Sequence, residues 1–318
     1  MKLRPARGKT GRDGRRSVER GEFDLSAVPG GLDLRATVES GQSYLWWRTD
    51  DNTYGDGPDG ATYRTTDRVD GKPIVIEVEQ TDERLCWQAT ADAAPLVRRR
   101  LGLDDDLPAI RADTPADDLV ESAFDASWGM RIVREPAFPT LVSFICSTQM
   151  RVERIFEMQQ SLRRALGAEL AFDGETVHAF PTPARLASAT EAELRNLGLG
   201  YRAPYVQETA EMVAAGEAHP IDASDRPYDD ARQFLTRFVG VGDKVADCVL
   251  LFGLGELSAV PLDTWIQRTV REYYPDLEGD SYGETSRAIR SYLGAYAGYA
   301  QTYIFHYRRA GLSTESTD

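Results

Sequence analysis

The sequence predicts an α+β protein, an antiparallel sheet followed by an all-helical remainder, because its hydrophobic period changes near position 95. Up to about position 93, segments 43–48, 62–66, 74–79 and 84–89 read as strands. Within them Ile74, Ile76 and Val78 alternate with Val75, Glu77 and Glu79. The turns Gly55-Asp-Gly-Pro-Asp-Gly60 and Asp70-Gly71 separate these runs. From Pro95 onward the apolar residues recur at helical spacing, as in Leu141, Phe144 and Ile145, Leu162 and Leu166, and Ala246, Val249, Leu250 and Gly253. Pro136-Ala-Phe-Pro139, Pro181-Thr-Pro183 and Asp225-Arg-Pro227 mark where helices start or stop. Four segments are expected: a flexible basic arm over 1–22, a β domain over 23–112, a helical domain over 113–312 and a short tail over 313–318.

Composition bounds the function. A chain of 318 residues can bury a large core and hold two or three domains. No run of about 18 apolar residues suggests a membrane span, and no apolar stretch follows the basic residues Lys2 to Arg20 to form a secretory signal, so a cytoplasmic protein without membrane partners is expected. Cys86, Cys146 and Cys248 are far apart, and His178, His219 and His306 have no ligand spacing. Neither disulfides nor a metal site is expected. The net charge of -14 argues against a nucleic-acid partner, since phosphates are neutralised by Lys and Arg. The kind of charge qualifies this: only Lys2, Lys9, Lys72 and Lys244 are lysines, and acidic residues crowd Asp104-Asp105-Asp106 and Asp229-Asp230. Such a surface is expected of a salt-loving archaeon, where the Debye length falls to about 3 Å near 1 M salt.

The stretch richest in chemistry is Phe238-Val-Gly-Val-Gly-Asp-Lys-Val-Ala-Asp-Cys248, in which Gly240 and Gly242 precede a helix beginning near Asp243. Such a turn lets backbone N–H groups approach a phosphate without a dense basic patch. Downstream, Val260-Pro-Leu-Asp263-Thr-Trp opens a second helix with a carboxylate at its N-cap. Taken alone, Lys244 in such a turn can simply touch phosphate and Asp263 can simply cap. Paired across a DNA-binding hairpin they have another use: an uncharged amine attacks a sugar carbon while the carboxylate stabilises the developing oxocarbenium.

At these residues the chain resembles the helix-hairpin-helix glycosylases, and within them the 8-oxoguanine DNA glycosylases of the eukaryotic type. The resemblance covers roughly 24–311. It includes Ser40-Gly-Gln-Ser-Tyr-Leu-Trp46, Phe144-Ile-Cys-Ser147, Leu194-Arg-Asn-Leu-Gly-Leu-Gly-Tyr-Arg-Ala203, the hairpin itself and Gly294-Ala-Tyr-Ala-Gly-Tyr-Ala-Gln-Thr-Tyr-Ile-Phe305. It implies an antiparallel sheet packed on a helical helix-hairpin-helix core, and a bifunctional glycosylase and AP lyase acting on duplex DNA that carries oxidised guanine opposite cytosine. Lys244 is then the nucleophile and Asp263 the assisting carboxylate. Gly41, Cys248, Gln301 and Phe305 form the base pocket. Gln149, Arg154 and Arg202 face the opposite base, Tyr201 wedges into the stack, and Gly240, Val241, Gly242 and Val245 meet the DNA backbone.

The resemblance also implies a monomer that needs no cofactor, with room for a potassium or sodium ion at the hairpin carbonyls. Three positions depart from the family pattern: Gln149 where Asn is common, Trp265 where a histidine is common, and Val239 where proline is usual. A monofunctional alkylated-base glycosylase on the same fold would lack the lysine. A pyrimidine-directed relative would carry a four-cysteine cluster, and a non-catalytic damage-binding protein would be indifferent to loss of Lys244.

Overall fold

The computed structural model describes residues 18–55 and 60–315, so most of the expected basic arm, the tip of the 55–60 turn and the last three residues lie outside the described residues. Strands β1 (Glu19–Asp24), β2 (Trp47–Arg48), β3 (Thr62–Val69), β4 (Lys72–Gln80) and β5 (Arg84–Ala89) form an antiparallel sheet in the order β1-β5-β4-β3-β2. The two central hairpins follow the predicted runs: Ile76 pairs with Ala89 and Val78 with Trp87 across β4 and β5. Ile74, Ile76 and Val78 point into a core closed by Leu85, Trp87, Val97, Leu101 and Leu103. The second core is built mainly by the helical half from Leu107 onward, with Ala36, Tyr44 and Leu45 contributing from the N-terminal half.

Three expectations need correction. The last residues of the 1–22 arm are ordered, since Glu19–Asp24 pairs with β5 along its length. Gly21 permits this, because a Cβ there would sit 2.7 Å from the Trp87 indole that lies across the strand.

The 43–48 strand shrinks to Trp47–Arg48. Residues before it use side chains in place of a ladder. Gln42 donates to the carbonyls of Thr37 (3.1 Å) and Arg131 (2.9 Å) and accepts from the Val133 amide (3.1 Å), while the Ser43 hydroxyl donates to Glu135 at 2.8 Å. This irregular loop carries Gly41 and Tyr44 towards the helical half.

The remainder is not wholly helical either, because β6 (Glu169–Phe172) and β7 (Glu175–His178) form a hairpin. Its two-residue turn Asp173-Gly174 has φ of 48° and 82°, the geometry that joins two right-twisted strands. Leu170, Phe172 and Val177 pack against Val75 on the back of the sheet, tying the halves together.

A second tie is polar. Glu135 is 3% exposed and accepts from the Ser43 hydroxyl (2.8 Å), the Trp46 indole N–H (2.7 Å) and the Arg100 guanidinium, which is itself fully buried. Arg131 spends its fork on carbonyls of Pro29, Gly31, Gly102 and Asp105. The loop at 40–46 is thereby held between sheet and helices.

Candidate active site

The Tyr228–Leu235 and Asp243–Val249 helices are joined by a turn that closes when the Val241 amide donates to the Phe238 carbonyl at 3.1 Å. Gly240 sits at φ 81°, and a Cβ there would lie 2.8–2.9 Å from Tyr205 side-chain atoms. Gly240→Ala should therefore cost about 1–3 kcal/mol of stability through backbone strain. Denaturant midpoints check this, and because the strain is in the backbone, trimming Tyr205 as well should restore only part of the loss. Gly242, by contrast, has extended backbone and no atom within 4 Å of its Cβ position, so it keeps the start of the next helix open to an approaching group. The Val241 and Val245 side chains are buried in the core.

Lys244 stands in the first turn of that helix, half-buried. Its Nζ donates to the Ser147 Oγ at 3.0 Å and lies 5.4 Å from the centre of the Phe144 ring. Ser147 spends its own proton on the Phe144 carbonyl at 2.7 Å, so its oxygen is a pure acceptor towards the lysine. Ser147 was visible only as part of a motif, with no sign that it would seat the amine. Cys248, one turn on, is buried, and burial pushes its thiol up to about 12 against the pull of Lys244.

Asp263 is the N-cap of the Thr264–Tyr273 helix, its Oδ1 accepting the Ile266 amide at 2.8 Å. Burial raises its pKa; the Ile266 amide, the Lys244 charge and the Trp265 amide pull it back down. Capping uses one oxygen, so the structural role does not preclude a chemical one. Lys244 and Asp263 line the same cavities without forming an ion pair among the described residues.

Two cavities meet at this pair. A cleft of about 920 Å³ is lined by Tyr44, Ser147, Gln149, Gly240, Gly242, Val245 and Trp265 among others. A pocket of about 60 Å³ leads inward from it, bounded by Gly41, Cys248, Gln301, Phe305, Lys244 and Asp263. Every base-pocket residue inferred from sequence thus reaches one small pocket. They come from the 40–46 loop, the hairpin helix and the last helix (Ala297–Glu315). Gly41 has φ 97°, and a Cβ there would come within 3.6 Å of the Phe305 ring and 3.3 Å of Arg309, so glycine keeps this wall thin.

The opposite-base residues are more dispersed. Gln149 lines the cleft at φ 54°, and Tyr201 is 49% exposed. Arg202 is buried beneath Tyr201, its guanidinium 4.3 Å from the ring centre, and donates to the Thr148 carbonyl while its Nε has no partner. Arg154 is exposed and paired with Glu157 at 2.7 Å. Arg154, Tyr201, Arg202 and Val241 do not line the cleft.

Sequence reasoning passed over Asp247, fully buried on the Lys244 helix, where burial pushes its carboxyl up to about 7 against two tyrosine hydroxyls and the charges of Arg232 and Arg290. Among the described residues no group of His, Cys, Asp or Glu is placed to hold a metal ion, and no helix is long and apolar enough to cross a membrane.

This hairpin, with a lysine in its second helix and an aspartate capping the helix that follows, coincides with a family match: residues 142–294 fit the HhH-GPD superfamily of base excision DNA repair proteins. The match spans just under half of the chain. The chain is 36% identical over 210 residues to a probable N-glycosylase/DNA lyase of Methanothermobacter thermautotrophicus, spanning 59% of this chain and 66% of that one, just short of two thirds. It is 29% identical to the N-glycosylase/DNA lyase of Saccharomyces cerevisiae, spanning 90% of this chain and 86% of the yeast protein. A Clostridium acetobutylicum 8-oxoguanine glycosylase/lyase, solved with duplex DNA containing cytosine opposite 8-oxoguanine, superposes with a TM-score of 0.77 at 26% identity, covering 88% of this chain and 93% of that one. At that coverage the superposition takes in both the sheet and the helical core.

Proposed function

We propose that this protein is a bifunctional DNA glycosylase and AP lyase that excises 8-oxoguanine opposite cytosine from duplex DNA. The observation that carries this reading is the convergence of Gly41, Cys248, Gln301 and Phe305 with Lys244 and Asp263 on one pocket. The names of the relatives support it.

The chemistry follows from the residues present. A nucleotide rotated out of the duplex presents its base to the small pocket and its C1′ to Lys244. The neutral amine attacks C1′, the C1′–N9 bond breaks with its electron pair leaving on the base, and Asp263 stabilises the positive charge that develops on the sugar. The ring oxygen then takes a proton as the sugar opens, leaving a Schiff base on Nζ. Loss of a C2′ proton expels the 3′ phosphate by β-elimination.

In this reading Gly41 offers its carbonyl to the N7 hydrogen that distinguishes the lesion, Gln301 reads the Watson–Crick edge, and Phe305 and Cys248 sandwich the ring. Arg154 and Gln149 meet the cytosine left behind, with Tyr201 filling the gap; Arg202, buried beneath Tyr201 and bonded to the Thr148 carbonyl, joins them only once Tyr201 moves aside. The 60 Å³ pocket is smaller than a purine, and the half-buried Phe305 forms one of its walls. Val245, Gly240 and Gly242 present backbone to the phosphates, with Val241 behind them. The Phe238, Val239 and Gly242 carbonyls already accept bonds from Val241 N, Thr209 Oγ1 and Ala246 N, and no step is assigned to a monovalent cation there.

The test is strand scission and borohydride trapping by the wild-type protein on duplexes carrying one 8-oxoguanine, one alkylated purine or none, across potassium chloride concentrations. A covalent adduct confined to the 8-oxoguanine duplex is expected. Base release without an adduct at any salt would refute the lyase, and release of the alkylated base alone would refute the substrate.

A further inference from the structure

Asp247 poses a physical question that the reaction above leaves open. It follows Lys244 by three positions, so both lie on one side of the helix. Val245, Ala246, Cys248 and Val249 around it are all buried. A carboxylate with no exposure in such surroundings is costly unless fully hydrogen-bonded. Its two oxygens are each met by a phenol: Tyr228 donates to Oδ1 at 2.6 Å and Tyr282 to Oδ2 at 2.7 Å.

The two phenols differ in what else they hold. The Tyr282 hydroxyl also accepts the Leu262 amide at 3.1 Å, and Leu262 immediately precedes Asp263. The Leu262 carbonyl accepts from the Gln267 side chain at 3.0 Å. Both polar groups of the backbone residue that delivers Asp263 are therefore held by side chains. With no direct ion pair between Lys244 and Asp263 among the described residues, the route Asp247, Tyr282, Leu262 is the hydrogen-bonded link between the lysine's helix and the aspartate's cap.

We propose that Asp247 and Tyr282 are positioning residues that set Asp263 in register with Lys244. The proposal rests on the function proposed above. It predicts that the link serves base release, which needs both groups, more than Schiff-base formation on a pre-formed abasic site, which needs chiefly the lysine. Misplacing a reacting group by about an ångström is enough to slow a step strongly.

The test compares Tyr282→Phe with Tyr228→Phe. Each removes one short hydrogen bond from the same carboxylate, but only the first releases the Leu262 amide. Single-turnover base release, duplex affinity, borohydride trapping on an abasic duplex and thermal stability are measured for both. For Tyr282→Phe, base release should fall about tenfold, with affinity and abasic-site trapping nearly unchanged, and Asp247→Asn should move the same way. Tyr228→Phe should lose comparable stability and keep its rate. Equal rate losses in the two tyrosine variants, equal losses on both substrates, or no loss in Tyr282→Phe would overturn the assignment. Absence of wild-type excision would instead overturn the proposed function, and the positioning role with it.

Discussion

Lys244→Gln should abolish the borohydride-trapped adduct and lower base release on the order of a thousandfold or more, since removing a nucleophile forfeits most of the rate its group supplies. Glutamine keeps most of the side-chain length and a donor for the Ser147 oxygen, so the variant should fold and bind duplex as the wild type does. What it loses is the lone pair that becomes the C1′–N bond. The contact with the Phe144 ring at 5.4 Å is lost as well, but at a partly exposed site this is worth only about 0.5–1 kcal/mol. Trapping on both a lesion duplex and an abasic duplex, with affinity measured in parallel, separates chemistry from binding. An adduct that persists would place the nucleophile elsewhere. Unchanged base release without an adduct would mean that water does the work and that Lys244 only touches DNA.

Glu135→Ala should be the most damaging substitution away from the chemistry. The carboxylate is 3% exposed and receives Ser43, Trp46 and the fully buried Arg100. Removing it leaves a buried guanidinium whose remaining polar partners among the described residues are the Thr66 carbonyl at 3.2 Å and Asp67 at 3.5 Å, with the Trp46 ring 4.8 Å away. Breaking a buried pair from one side costs about 3–5 kcal/mol, and at roughly 2–4 °C per kcal/mol for a large domain the melting temperature should fall by about 6–20 °C. The damage should reach function, because Ser43 and Trp46 belong to the loop that carries Gly41 and Tyr44 to the pocket. Reduced base release at temperatures where the variant is still folded is therefore expected. Glu135→Gln, which keeps an acceptor but loses the charge, should fall between the two. A melting temperature within a degree or two of wild type would show that the sheet and helices are held together by apolar packing alone.

The sequence was legible wherever a single element carries its own pattern. Strands β3 and β5 alternate because one face of the sheet covers the main core of the β half, whereas β4 is also buried at Val75 on the other face, and Gly240 was recognisable because only glycine sits easily at its φ. The Asp173-Gly174 turn, flanked by Leu170, Phe172 and Val177, carried the same kind of local signal, and the β6–β7 hairpin could have been found from it. The 43–48 strand misled for the opposite reason. Its alternation of Tyr44 and Trp46 reflects burial in two different cores, and Gln42 and Ser43 replaced the ladder with bonds to residues about 90 positions away. Asp247 gave no signal, since a lone acidic residue on an apolar helix has meaning only when its partners, Tyr228 and Tyr282, are brought beside it.

By itself the sequence determined that a sheet precedes a helical half, that a glycine turn leads into the lysine's helix, and that Asp263 begins another. These follow from local periodicity, backbone sterics and capping, which act over a few residues. Only the tertiary structure decided that Gly41, Cys248, Gln301 and Phe305 share a pocket with that pair, that Ser147 receives the amine, that Arg202 is buried rather than presented, and that Tyr282 joins Asp247 to Leu262. Those relations depend on how separate elements pack, and packing is set by the sum of many apolar contacts across the chain, which no single stretch of sequence carries.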